Sequence, residues 1–124
     1  MVRSIVRVVV VALVLGAGVA HAEPAAKVVD AAEARKLAAE GVKVVDVRTA
    51  VEFAMGHVPG AVNIPFDEME KRHAELGPAS TPVLLYCRSG RRSGIAAETQ
   101  KAKGFTKLYD LQAYDRWVAS EPKK

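Results

Sequence analysis

Apolar segments alternate with polar, helix-forming segments along most of the chain. The β-branched run at residues 42–47 and the apolar run at residues 83–86 have the pattern of strands that are buried on both faces. Shorter apolar runs predict three further strands, at residues 27–29, 61–64 and 105–111. Strands that alternate with helices at this spacing predict an α/β fold, in which a central, mostly parallel five-stranded sheet carries helices on both faces.

The segments between the predicted strands carry the end signals of helices. Asp30 followed by Glu33 is a capping box, in which each side chain reaches the backbone N–H of the other residue. Thr49 is a second capping residue, and Gly104 is placed as a helix stop. The predicted helices cover residues 31–40, 50–54, 67–76, 93–103 and 114–119.

The N-terminal segment, residues 1–22, differs from the rest of the chain. Arg3 and Arg7 lie near its start, residues 8–20 carry no charge, and it ends on Ala20-His21-Ala22. This layout is typical of a secretory signal peptide, and the uncharged run is shorter than the roughly 20 residues of a membrane-spanning helix. We expect cleavage after Ala22, a single domain over residues 23–124 with no stable membrane span, and a periplasmic or secreted location. An uncleaved N-terminal anchor or a lipid-facing helix is the alternative.

The net charge of +4 reflects this segment in part. Its removal takes away two arginines and no acidic residue, which leaves a net charge of +2. No basic stripe is interleaved with aromatic residues, so we do not expect nucleic-acid binding. His57 and His73 have no clustered partner ligands in the sequence, so we expect no metal and no other cofactor. We expect His57 to bond to the backbone in its turn and to pack there.

Cys87 is the only cysteine of the chain. Exported proteins meet an oxidising environment in which cysteines usually pair, so a lone thiol needs either a packing role or a chemical one. Cys87 follows a predicted buried strand and precedes a helix, at the start of the segment Cys87-Arg88-Ser89-Gly90-Arg91-Arg92-Ser93. The position of this loop favours the chemical role.

The loop has the features that stabilise a thiolate. Converging backbone amides and the positive end of the next helix attract negative charge, and Gly90 permits the positive φ of a tight curl. Arg88, Arg91 and Arg92 add positive charge for an anionic substrate. We therefore expect Cys87 to be a thiolate nucleophile at neutral pH.

Several motifs, in this order and spacing, resemble those of the rhodanese family, and the resemblance covers most of residues 27–118. Cys87 through Arg92 is similar to the family's active-site loop, and residues 45–48, Val-Asp-Val-Arg, to its Asp-x-Arg strand end. Glu52-Phe53 is similar to its acidic–aromatic pair, and residues 56–61 to its Gly-His-x-Pro-Gly-Ala signature. The chain departs from the family at Leu111-Gln112-Ala113-Tyr114, where Leu-x-Gly-Gly is common, which predicts a different pocket rim.

The resemblance implies a rhodanese-like fold and a sulfurtransferase that uses no cofactor. Cys87 would take the sulfane sulfur of a small anionic donor such as thiosulfate, form a persulfide, and pass the sulfur to cyanide or a thiol. The loop would bind the persulfide and the donor. Asp46 and Arg48 would support the site, with Arg48 paired to Glu52 across one helical turn. Tyr114 and Trp117 are expected in core and rim packing, and either could line the pocket.

Two alternatives remain open at this point. A cysteine phosphatase or arsenate reductase also holds an oxyanion above a thiolate, but such sites resemble a loop with five residues between cysteine and arginine. Here four residues separate Cys87 from Arg92, and Tyr86 precedes the thiol. The second alternative is a sulfur carrier or redox-responsive module that holds a persulfide for an unidentified protein partner with a thiol.

Overall fold

A computed structural model describes residues 23–123. The predicted signal peptide and its cleavage site lie outside these residues. Within them, no helix has the length and apolar character that crossing a membrane requires.

Five strands form one sheet, in which every neighbouring pair is parallel. The strands are β1 (Lys27–Val28), β2 (Lys43–Asp46), β3 (Val62–Asn63), β4 (Val83–Cys87) and β5 (Leu108–Ala113). Their order in the sheet is β1-β5-β4-β2-β3. The predicted α/β fold with a five-stranded sheet is confirmed, and β4, which leads into the candidate loop, lies at its centre.

Helices connect the strands. They are α1 (Ala31–Ala39), α2 (Ala50–Met55), α3 (Met69–Arg72), α4 (Arg91–Ala102) and α5 (Tyr114–Ala119), and short 3₁₀ turns at Phe66–Glu68 and His73–Leu76 flank α3. The predicted cap of α1 is present, since Asp30 accepts a hydrogen bond from the Glu33 N–H at 2.8 Å. Thr49 and Glu52 form a capping box at the start of α2. Both caps fix where the chain enters a helix after leaving the sheet.

Three predicted boundaries are wrong in ways that concern the site. The segment predicted as one helix over residues 67–76 is α3 with its two 3₁₀ turns. The helix predicted to begin at Ser93 begins at Arg91, because Gly90 caps it. The strand predicted for residues 105–111 is shifted to Leu108–Ala113, because the Phe105 N–H bonds back to the Gln100 carbonyl and so closes the end of α4.

Alternate residues of β4 face two separate cores. Leu85 and Cys87 lie in the core beneath α3 and α4, whereas Leu84 and Tyr86 lie in the core beneath α1 and α5. Both faces of the sheet are therefore covered by helices, as predicted. The alternation turns the sulfur of Cys87 toward α4, the helix that follows it.

Candidate active site

The sulfur of Cys87 lies at the carboxyl end of β4 with three close polar contacts. The Gly90 N–H donates to Sγ at 2.9 Å, and the thiol lies 3.3 Å from the Gln112 carbonyl and 3.4 Å from the Ser93 hydroxyl. The residue as a whole is fully buried. The structure thus combines burial, which an inert thiol also shows, with an amide donor that favours negative charge on sulfur.

Gly90 makes the tight curl of the loop possible. Its φ of +104° lies in the left-handed region, as expected from the sequence, and it directly precedes α4. A Cβ added at this position would lie 3.2 Å from the Cβ of Gln112. A larger residue would therefore strain the backbone and press against β5, so the amide contact with sulfur depends on glycine.

Arg92 is bound in a bidentate ion pair. Its guanidinium donates to the two carboxylate oxygens of Glu52 at 2.6 and 3.0 Å. This hydrogen bonding with Arg92 is the main reason that the pKa of Glu52 falls to about 2. The expected pair between Arg48 and Glu52 is wrong, because Glu52 binds Arg92, which lies 40 positions further along the chain.

Arg88 lies beside an open cavity of about 290 Å³. The other residues that line this cavity are Arg48, Glu52, Met55, Tyr114 and Asp115. Within residues 23–123, Arg88 and Arg91 form no salt bridge, and both are exposed, as is Ser89. Of the three loop arginines, Arg88 therefore combines an uncompensated charge with a position at a cavity.

Asp46 and Arg48 form a buried pair at the end of β2. The Arg48 guanidinium donates to Asp46 Oδ2 at 2.7 Å and to the Gly56 carbonyl at 2.7 Å. Burial lowers the pKa of Arg48, but hydrogen bonding and charge attraction to Asp46 outweigh it and raise the pKa. Tyr86 joins the pair, because its hydroxyl donates to Asp46 Oδ2 at 2.7 Å and accepts the Val58 N–H at 3.0 Å. The network ties β2, β4 and the turn after α2 together.

Sequence reasoning missed the part of β5 that reaches the sulfur. Asp110 is buried and accepts the Gln112 N–H at 2.7 Å, and Gln112 has a φ of +72°. An extra residue in β5, Leu111, shifts the register against β4 at this point. A glutamine gives no sequence signal for a positive φ, but a lone acidic residue inside an apolar strand does mark Asp110 as unusual.

Of the other residues singled out in the sequence, His57 and Trp117 lie in packing contacts, whereas Tyr114 lies at the cavity. The His57 ring stacks on Phe53, with centroids 3.6 Å apart, and its Nδ1 lies 2.8 Å from the Phe53 carbonyl. Trp117 is buried in the core beneath α1. Tyr114 lines the cavity beside Arg88, and the Arg48 guanidinium lies 4.5 Å from the centre of its ring. Tyr114 thus forms part of the pocket rim, and it lies in the segment where the sequence differs from the Leu-x-Gly-Gly motif.

Comparison with known proteins places the chain in a family. The family model described as a rhodanese-like domain matches residues 30–120. The chain belongs to the rhodanese-like family. The candidate loop, the buried Asp46–Arg48 pair and the 56–61 turn all lie within the matched residues.

Two curated relatives match this chain only in part. The putative sulfur carrier protein YrkF of Bacillus subtilis (strain 168) is 42% identical over 72 residues, which are 58% of this chain and 38% of YrkF. The thiosulfate sulfurtransferase PspE of Escherichia coli (strain K12) is 40% identical over 63 residues, which are 50% of this chain and 61% of PspE. The chain thus spans less than two thirds of the length of either relative.

Among solved structures, the human single-domain sulfurtransferase TSTD1 has the same rhodanese-like fold. The two superpose with a TM-score of 0.70 at 28% identity, over 78% of this chain and 99% of that one. Within residues 23–123, no three His, Cys, Asp or Glu side chains are grouped so that they could hold a metal ion.

Proposed function

We propose that the protein is a sulfurtransferase that moves a sulfane sulfur from thiosulfate or a similar anionic donor to a thiophilic acceptor through a Cys87 persulfide. The observation that carries this proposal is the contact of the Gly90 N–H with Cys87 Sγ at the start of α4, in a rhodanese-like domain. An amide donor and a helix N-terminus both favour a negatively charged sulfur.

Neither step of the transfer requires an oxidant, a reductant or any reagent beyond the donor and the acceptor. The Cys87 thiolate attacks the outer sulfur of thiosulfate, so that a new S–S bond forms while the donor's S–S bond breaks and sulfite leaves with the electron pair. The outer sulfur of the resulting persulfide is then attacked by cyanide or a thiolate. The Cys87–sulfur bond breaks and its electron pair returns to Cys87, which regenerates the thiolate.

The charges around the loop support an anionic donor. Arg92 is occupied by Glu52, and Arg48 by Asp46, whereas Arg88 is free of salt bridges within the described residues and lines the cavity beside the loop. A doubly charged donor would be attracted chiefly by Arg88. Cys87 itself is fully buried, so the donor reaches the sulfur only when the groups that cover it move aside.

The test is intact mass spectrometry of protein purified from cells that express the full chain. Incubation with thiosulfate alone should add the mass of one sulfur atom, cyanide should remove it, and Cys87→Ser should add none. Arsenate reduction and aryl phosphate hydrolysis are assayed beside it. Absence of loading by any sulfane donor, together with turnover of arsenate or phosphate, would overturn the proposal.

The persulfide carrier remains the second candidate, because the relative YrkF is named a putative sulfur carrier protein. Turnover separates the two functions. A sulfurtransferase discharges its persulfide to cyanide or a small thiol over many cycles, whereas a carrier accepts one sulfur and releases it slowly without its protein partner. Steady-state thiocyanate production well above one equivalent per chain would favour the enzyme.

We also propose that the chain is exported, on the basis of the charge and hydropathy pattern of residues 1–22. The same mass measurement reads the N-terminus of the purified protein. Cleavage after Ala22 gives a chain that begins at Glu23 and is recovered from the periplasm or medium. A full-length mass from the cytosol would contradict export.

A further inference from the structure

Asp110 is a buried carboxyl group in the strand next to Cys87, and the mechanism above gives it no role. The residue is 5% exposed, and in the sheet it pairs with Leu85, two residues before the cysteine. It also borders a cavity of about 210 Å³ that Gly90 and Gln112 line. A buried carboxyl group costs free energy unless its contacts compensate, so those contacts indicate what it does.

The first contact runs through the backbone of Gln112. Asp110 Oδ1 accepts the Gln112 N–H at 2.7 Å, and the carbonyl oxygen of Gln112 lies 3.3 Å from Cys87 Sγ. The φ of Gln112, +72°, is uncommon for a residue with a side chain. Aspartate stabilises such conformations by bonding to the backbone two residues ahead. Asp110 therefore holds this carbonyl oxygen at the sulfur.

A second oxygen beside the sulfur is the hydroxyl of Ser93, which donates its proton to the Gly90 carbonyl. Burial raises the pKa of Asp110, and the nearby Ser93 hydroxyl partly offsets the rise. The Ser93 Oγ lies 3.4 Å from Cys87 Sγ and 3.1 Å from the Gly90 carbonyl. A serine hydroxyl has only one proton. When that proton is donated to another acceptor, the hydroxyl presents an oxygen lone pair to the sulfur.

We propose that Asp110 is a positioning residue that holds an oxygen acceptor, the Gln112 carbonyl, against the sulfur of Cys87, where the Ser93 hydroxyl is a second acceptor. Acceptors at sulfur favour the thiol, whereas the Gly90 N–H favours the thiolate. Asp110 thereby restrains the reactivity of the sulfur between turnovers. The inference rests on the proposed nucleophilic role of Cys87. It identifies Asp110 as the residue whose effect on the charge of the sulfur opposes that of the Gly90 N–H.

The charged groups around Asp110 do not interfere with its positioning role. From α5, the charge of Arg116 lowers the pKa of Asp110, and from α4, the exposed Glu98 borders the same cavity. From β4, Cys87 is the titratable neighbour, and from β1 the residue paired with Asp110 is the uncharged Val28. Glu98 provides a matched control, because it is a carboxylate in the same cavity, and within the described residues no side-chain hydrogen bond or salt bridge joins it to Cys87, Ser93 or Gln112.

The test measures alkylation of Cys87 by iodoacetamide as a function of pH, read by intact mass. Asp110→Asn keeps an oxygen for the Gln112 N–H, but a neutral amide oxygen accepts a weaker hydrogen bond than a carboxylate, so the Gln112 carbonyl is held less firmly against the sulfur. We expect the midpoint pH of alkylation to fall by about one unit, the size of one hydrogen bond to a charged group. Glu98→Gln should leave the midpoint where it is. In a Ser93→Ala background, Asp110→Asn should shift the midpoint by as much as it does in the wild type, because the contact through Gln112 does not involve Ser93.

An unchanged or raised midpoint in Asp110→Asn, or an equal fall in Glu98→Gln, would overturn the inference. Should Asp110→Asn fail to fold by circular dichroism, Asp110→Ser serves instead, because its hydroxyl can still accept the Gln112 N–H and the charge is removed. The same fall is expected. Alkylation needs no sulfur donor, so failure of thiosulfate loading in the wild type would overturn the proposed function and leave this result to be judged separately.

Discussion

The three arginines that follow Cys87 have different surroundings, although the sequence presents them as one basic cluster. Arg92 is held by Glu52, Arg88 lies at the larger cavity, and Arg91 is exposed in the first turn of α4. The sequence cannot distinguish them, because the partner of Arg92 lies 40 positions away and the ion pair exists only once the sheet has formed. This difference predicts unequal roles in substrate binding.

We expect Arg88→Gln to raise the KM for thiosulfate about five- to tenfold with little change in kcat, because it removes charge attraction for the donor before the chemical step. Arg91→Gln is the matched control and should change the KM less than twofold. Initial rates of thiocyanate formation at low and high salt measure both effects. Equal changes in the two variants would contradict a special position for Arg88.

The Glu52–Arg92 pair predicts a pH-dependent contribution to stability. The pKa of Glu52 is about 2 in the folded protein against 4.5 in its ordinary state, so the pair stabilises the fold above pH 4.5 and loses its effect as the pH falls toward 2. Glu52→Gln should lower the free energy of unfolding by about 1 kcal/mol at pH 7, the range of a partly exposed ion pair. In urea unfolding, the difference in unfolding free energy between Glu52→Gln and the wild type should shrink below pH 4.5. A difference that stays constant with pH would contradict this prediction.

At the scale of elements, the sequence predicts strands better than the junctions between elements. Strands β1 to β4 each begin and end within one residue of their predicted positions, because β-branched and apolar runs define them. The predicted start of α4 and the predicted bounds of β5 were wrong. The left-handed Gly90 was expected, but the left-handed Gln112 and the extra residue in β5 were not, because contacts between the two elements set them.

Gly90 and Gly94 form a matched pair at this junction. Gly90→Ala meets a positive φ and a close contact with Gln112, so it should lower the free energy of unfolding by about 1–2 kcal/mol and slow sulfur loading at Cys87. Gly94 lies inside α4 and has open space where the methyl group of an alanine would lie, so Gly94→Ala should raise stability by about 0.5–1 kcal/mol. Chemical denaturation and the rate of sulfur loading are measured for both variants. Equal effects of Gly90→Ala and Gly94→Ala would contradict the requirement for glycine at position 90.

At the scale of the whole molecule, the fold and the position of Cys87 at the end of a central strand were predictable, whereas the hydrogen-bond network beneath the site was not. Alternating strands and helices predict a parallel sheet, and the end of a central strand predicts where ligands bind. The network of Asp46, Arg48 and Tyr86 joins residues up to 40 positions apart. Such contacts leave no periodic signal, and the expected Arg48–Glu52 pair was wrong for that reason.

Through its hydroxyl, Tyr86 links β4 to Asp46 of β2 and to Val58 in the turn after α2. Tyr86→Phe should lower the free energy of unfolding by about 1–3 kcal/mol, because the buried Val58 N–H then has no acceptor. Tyr109→Phe is the control, since the Tyr109 hydroxyl makes no hydrogen bond within residues 23–123 and the residue is half-buried. Thermal unfolding followed by circular dichroism should separate the two variants.

The burial of Cys87 also determines how the chain behaves toward copies of itself. A disulfide requires the two Cβ atoms to approach within about 3.5–4.5 Å, and a residue with no exposed surface cannot meet its counterpart in a second molecule at that distance. Covalent dimers should therefore stay absent on non-reducing gels after air oxidation, although the protein carries an unpaired thiol. The same burial that limits access of small molecules to the sulfur shields a solitary cysteine from cross-linking.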